Sequence, residues 1–85
     1  MEQRTLTYSL IVEFHRDEEG YLAHFPALAG CHAWSETYEG AVARAEEALL
    51  GYIEALAKSG KKIPIERHPA HGVSLGLMVE VPVTA

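Results

Sequence analysis

The sequence has little with which to cross-link itself, hold nucleic acid or enter a membrane. Cys31 is the single cysteine in 85 residues, which excludes an internal disulfide and fits a reducing compartment. Seven Lys and Arg stand against twelve Asp and Glu, a formal net charge of −5. Lys61 and Lys62 are the one adjacent basic pair. Proteins that hold nucleic acid cluster positive charge against the phosphates, so direct binding to DNA or RNA is not expected. An acidic chain suits a basic partner, for instance a protein that itself handles RNA. No apolar run approaches the roughly 18–20 residues of a membrane helix. The start, MEQRTLTYSL, lacks a charged segment leading into an apolar one. A cytoplasmic protein without membrane contact is the expectation.

What is present is the ordinary material of one small domain over residues 1–85, with 48% apolar and 22% charged residues. From Thr5 to Phe14, Leu6, Tyr8, Leu10, Val12 and Phe14 share one face while Thr5, Thr7, Ser9 and Glu13 share the other. That alternation is a half-buried strand. HRDEEG supplies a polar turn, with Gly20 available for positive φ. Tyr21–Phe25 and Cys31–Ser35 read as two further short strands, separated by the pairing breaker PALAG.

A helix is predicted from Tyr38 to Ser59. Thr37 is its N-cap, and Tyr38, Val42, Ala45, Leu49, Tyr52 and Leu56 form its apolar stripe, widened by Ile53. Gly60 and Pro64 mark its end. Gly40 stands where a full capping box would place Glu or Gln. Val73–Val81 alternates again and reads as the last strand.

The order β-β-β-α-β describes a two-layer α+β domain. If the helix returns the chain, the fourth strand runs parallel to the first, giving a mixed sheet in the order 3-2-1-4 with one long helix on one face. The other face carries Ile11, Leu22, Met78 and, if it is not core, Trp34. That is more exposed apolar surface than a small monomer usually carries, so a partner or a second subunit is expected to cover it.

The candidate chemistry is thin. Cys31 and His32 are neighbours on a strand and point to opposite faces, so they do not form a nucleophile–base pair or a chelate. A closed zinc site needs three or four ligands. The plain reading is a core thiol beside a surface imidazole. His68 and His71, in RHPAHG, have a spacing that could hold a metal from a loop, yet read as a solvated loop. His15, His24 and His32 make a pH-sensitive or metal-binding patch only if their strands bring them together. Glu13, Glu46 or Glu47, and Glu80 come from elements comparable to those of a divalent-metal nuclease of ribonuclease-H type. The helix acids nevertheless read as a solvated face. Trp34 is either a partner anchor or core, whereas Tyr38, on the helix stripe, reads as core. Leu50 faces outward. No cofactor motif is present.

The stretch YLAHFPALAGCHAWSETYEGAVARAEEALLGYIEAL, followed by GKKIP, resembles the HicB-like antitoxin domain. That family has an aromatic-rich strand, F-P-D-L-P-G-C, a short strand, G-D-T, and a helix rich in E-E-A that ends before a Gly and an I-P. The resemblance covers nearly the whole chain. Ala27, Ala29, Ser35 and Gly40 depart from the family's usual Asp, Pro, Gly and Glu, which loosens the loop and the helix cap. The chain stops at Ala85 without the C-terminal DNA-binding module many such antitoxins carry, so it resembles the short form.

The resemblance implies a partly degraded ribonuclease-H-like fold without catalytic residues, assembled as a dimer or tetramer. It also implies a small basic toxin of the HicA class that cleaves RNA and is silenced when its active site is covered. The expected function is therefore non-enzymatic toxin binding, with no cofactor. Leu22, His24, His32 and Trp34 are the candidate contacts to toxin or second subunit, and Leu50 and Met78 further ones. The alternatives are an oligomeric domain with another partner, and a metal-dependent nuclease.

Overall fold

The structure is a computed structural model that describes residues 3–66 and 75–82. Strand β1 spans Gln3–His15, β2 Gly20–His24 and β3 His32–Ser35; helix α1 spans Tyr38–Lys58 and strand β4 Leu75–Pro82. The sheet order is β3-β2-β1-β4, as the alternation and the connections imply. Residues 67–74, with His68, His71 and the first residues expected in the last strand, lie outside the described residues.

The period-two pattern of β1 decides its faces. Leu6, Tyr8 and Leu10 are buried under α1, and Thr5 and Thr7 are exposed behind them. Ala23 and Phe25 extend the same buried layer. The turn after β1 is a short 3-10 segment, Arg16–Glu18. Its left-handed residue is Glu19, at φ 50°, and not Gly20. Gly20 serves another end: a Cβ there would stand 2.3 Å from the Trp34 ring and 2.9 Å from the Ser35 carbonyl oxygen. Between β2 and β3, Leu28 turns back into the core at 1% exposure. Its amide donates to the Phe25 carbonyl and its carbonyl accepts from the Cys31 amide.

Helix α1 starts where Thr37 Oγ1 accepts the Gly40 amide at 3.0 Å. A Cβ on Gly40 would meet Ser35 Oγ at 2.3 Å and Thr37 Oγ1 at 2.8 Å. The capped turn therefore has no room for the glutamate of a full capping box. The helix ends as Gly60 takes φ 68°, with Gly60 N–H bonded to Ala57 O and Lys61 N–H to Leu56 O. That paired arrangement is a Schellman ending.

The buried stripe runs Ala41, Ala45, Leu49, Ile53, shifted from the line expected through Tyr38 and Val42. Two alanines let the helix lie close to the sheet; Val42 and Tyr52 pack at its flanks. Tyr38 is pushed to the rim, 41% exposed, its ring edge-on to Tyr21.

One topological expectation is corrected. β4 runs antiparallel to β1, pairing Leu10 with Leu75 and Gln3 with Pro82, so the sheet is antiparallel throughout and not mixed. The helix does return the chain, but the segment after it reverses once more. Tyr8 donates its hydroxyl to the Pro64 carbonyl oxygen. One residue further along β1, the Glu66 carboxylate accepts the Ser9 amide at 3.0 Å and also the Ser9 hydroxyl. The chain thus climbs back beside β1 as far as Ser9, and β4 enters opposite Leu10 heading down. Counting the helix as the single reversal misses this second one.

Candidate functional site

The face of the sheet turned away from α1 is built from the alternate residues of the same strands. In an antiparallel ladder, paired residues point to the same side. The register therefore lays out two rows: Glu13, Leu22 and Trp34 in one, Ile11, His24 and His32 in the next. Trp34 is 36% exposed, Leu22 half-buried, and His32 exposed. Gly20 leaves the space that Trp34 occupies, and His15 meets the indole edge-on with ring centroids 6.0 Å apart. His15, Glu18, Leu22 and Trp34 line a shallow pocket of about 320 Å³.

Sequence reasoning grouped Leu22, His24, His32 and Trp34, and the structure places all four side by side. Met78 shares their face, 74% exposed, but pairs with Thr7, six residues along β1 from Glu13. That separation is about 20 Å along the strand. Leu50 lies in the other layer, on the outer side of α1, 52% exposed. Gly20 and Glu18 were not singled out for this face, and His15 only as a possible partner of His24 and His32, whereas it lies against Glu18 and Trp34. The parity of His15 with Ile11 and Glu13 was a readable signal, whereas Gly20 acquires its role only from the β2–β3 register.

The electrostatics are acidic with histidine interleaved. His24 Nε2 lies 3.5 Å from Glu13 Oε1, and His15 Nδ1 3.4 Å from Glu18 Oε2. Both pairs are largely solvated, so each contributes little to stability. On the far side of the sheet, burial pushes the Cys31 thiol above its ordinary range, which keeps it in the inert, protonated form. Cys31 is 4% exposed in the core and His32 is on the surface, the division their adjacency implied.

The carboxylates that could have served a nuclease do not meet. Glu13 pairs opposite Leu22 and Glu80 opposite Thr5, eight residues apart on β1 and thus about 26 Å along it. Glu46 and Glu47 are exposed on α1, in the other layer. Among the described residues, no three or more His, Cys, Asp or Glu side chains form a group that could hold a metal ion. No helix among them is long and apolar enough to cross a membrane.

Comparison with known proteins adds to this geometry. Over 94% of its length the chain superposes on the whole of a solved chain, the N-terminal domain of the antitoxin HicB from Burkholderia pseudomallei. The TM-score is 0.64 and the sequence identity 22%, a likeness of fold. A UPF0150 protein of Thermoplasma acidophilum is 38% identical over 60 residues, covering 69% of this chain and 84% of that protein. A UPF0150 protein of Synechocystis is 37% identical over 59 residues, 69% of this chain and 73% of that protein. The family model described as the HicB-like antitoxin of bacterial toxin-antitoxin systems matches residues 8–74, which run from the middle of β1 through β2, β3 and the helix. The chain belongs to the HicB-like antitoxin family.

Proposed function

We propose that this protein is a non-enzymatic antitoxin that binds a small basic RNA-cleaving toxin of the HicA class and covers its active site. Membership of the antitoxin family carries the reading. Two physical features support it. A toxin that acts on RNA must present positive charge to a polyanion, and this chain has a net charge of −5. The sheet face opposite the helix offers Trp34 and Leu22 as apolar anchors, ringed by Glu13, Glu18 and the histidines. Buried aromatic anchors within a polar rim are the usual anatomy of a binding hot spot. The chain acts in the cytoplasm in this reading, where its toxin would meet RNA, and works as a dimer or tetramer without a cofactor.

The test is titration calorimetry against a purified HicA-class toxin from the same organism, with an RNA-cleavage assay run in parallel. The expected result is a complex that silences cleavage and is weakened at least about thirtyfold by Trp34→Ala, roughly the smallest loss a hot-spot residue shows. No binding at micromolar protein, or unimpeded cleavage inside a stable complex, overturns the proposal. Binding with unchanged affinity for Trp34→Ala and Leu22→Ala moves the contact to Leu50 and the helix face. Sedimentation of the unbound protein tests the oligomer.

A further inference from the structure

We propose that His24 and His32 form a two-histidine surface chelate for a divalent transition-metal cation. The two histidines are direct register partners on β2 and β3 and so project from the same face of the sheet. The ladder geometry also brings them close. Phe25 N–H donates to the Cys31 carbonyl at 3.1 Å, which makes the pair next to them the hydrogen-bonded one. Hydrogen-bonded and non-hydrogen-bonded pairs alternate along an antiparallel ladder. His24 and His32 therefore occupy a non-hydrogen-bonded position, where the Cα atoms are about 4.5 Å apart and the side chains closest.

Two imidazole nitrogens bound to one cation at about 2.0–2.1 Å each sit roughly 3 Å apart, a span that neighbouring rotamers of such a pair reach. Glu13 is diagonal to His24, its carboxylate 3.5 Å from His24 Nε2, and adds negative charge beside the pair without completing a three-donor site. The surroundings leave the site open to solvent: His32 is exposed and the His24 side chain is 35% exposed.

Among the described residues no group of three or more His, Cys, Asp or Glu side chains could hold a metal ion, so the pair supplies two donors only. The site is therefore an open chelate, with water or a docked partner filling the remaining positions. Imidazole donors select nickel, copper or zinc ions and discriminate against magnesium and calcium, which prefer oxygen ligands. His15 does not belong to the group, since it faces Glu18 and the Trp34 ring.

The experiment titrates untagged, metal-free protein with Ni2+ by calorimetry near neutral pH, with Mg2+ as the oxygen-seeking control. The expected result is one Ni2+ per chain and no heat from Mg2+. His24→Gln and His32→Gln should each weaken Ni2+ binding by about tenfold or more, since even losses in the outer shell of a metal site reach that size. Both variants alter solvent-accessible side chains, and far-UV circular dichroism checks that they fold. Paramagnetic broadening of amide resonances should centre on Leu22–His24 and His32–Trp34. Unchanged affinity in both variants overturns the proposal. So does a loss of binding in a His68→Gln/His71→Gln double variant while the His24 and His32 variants bind normally.

Discussion

Replacing Glu66 by alanine tests the contact that holds the segment after the helix against β1. Its carboxylate accepts both the amide and the hydroxyl of Ser9, a residue only 5% exposed. Hydrogen bonds to a charged acceptor are worth about 1.5–3 kcal/mol each, and a buried donor left without a partner costs a comparable amount. Glu66 itself is half-exposed, so water recovers part of the loss, and a net destabilisation of about 2–3 kcal/mol follows. In a domain of this size each kcal/mol lowers Tm by about 4–8 °C, so the variant should melt roughly 10–20 °C lower. Urea and thermal denaturation followed by circular dichroism measure it, with Glu66→Gln expected to lose about half as much because one amide oxygen still accepts. A loss below about 0.5 kcal/mol, the size of an ordinary surface substitution, would refute the reasoning. It would mean that segment 61–66 does not clasp β1.

Gly51 lies inside α1 with nothing within 4 Å of an added Cβ, so Gly51→Ala should stabilise the monomer by about 0.5–1 kcal/mol, read as a raised urea midpoint. Gly20→Ala should do the reverse, because the new Cβ collides with the Trp34 ring and the Ser35 carbonyl. A cost of about 1–3 kcal/mol is expected, together with a changed Trp34 emission spectrum; an unaltered spectrum would contradict the packing. Tyr8 has its hydroxyl pKa raised, first by burial and second by the charge of Glu66. The neutral phenol is thus favoured in the folded state. Its contribution is complete below the ordinary tyrosine range near pH 10 and is lost as pH rises beyond it. Tyr8→Phe should flatten that alkaline limb of a stability–pH curve. Cys31, raised by burial, follows the same sign from about pH 9, and its reaction with a thiol reagent should track unfolding; rapid labelling of native protein would refute its burial.

Much of the architecture was legible because local chemistry and burial agree along the chain. Leu6, Tyr8 and Leu10 alternate with Thr5, Thr7 and Ser9, so one face of β1 had to be buried whatever packed on it. Thr37 and Gly60 mark the helix ends because their side-chain and backbone preferences act within one turn. The candidate face was half legible: parity alone put Leu22, His24, His32 and Trp34 together, and the same parity included Met78.

Tertiary structure decided what depends on distant residues. Met78 is separated from the group because β4 pairs with the first part of β1 and β2 with the last, a stagger that no alternation encodes. Tyr38 left the core because Ala41 and Ala45 set the helix close to the sheet and turned its axis of burial by one position. The direction of β4 is read only from its pairing with β1, beside which contacts from Tyr8 to Pro64 and from Ser9 to Glu66 hold the segment after the helix. These join residues more than fifty positions apart. Side-chain parity and capping are properties of a few consecutive residues and can be read from them. Strand direction and register are set by contacts between segments that meet only when the whole chain closes on one core.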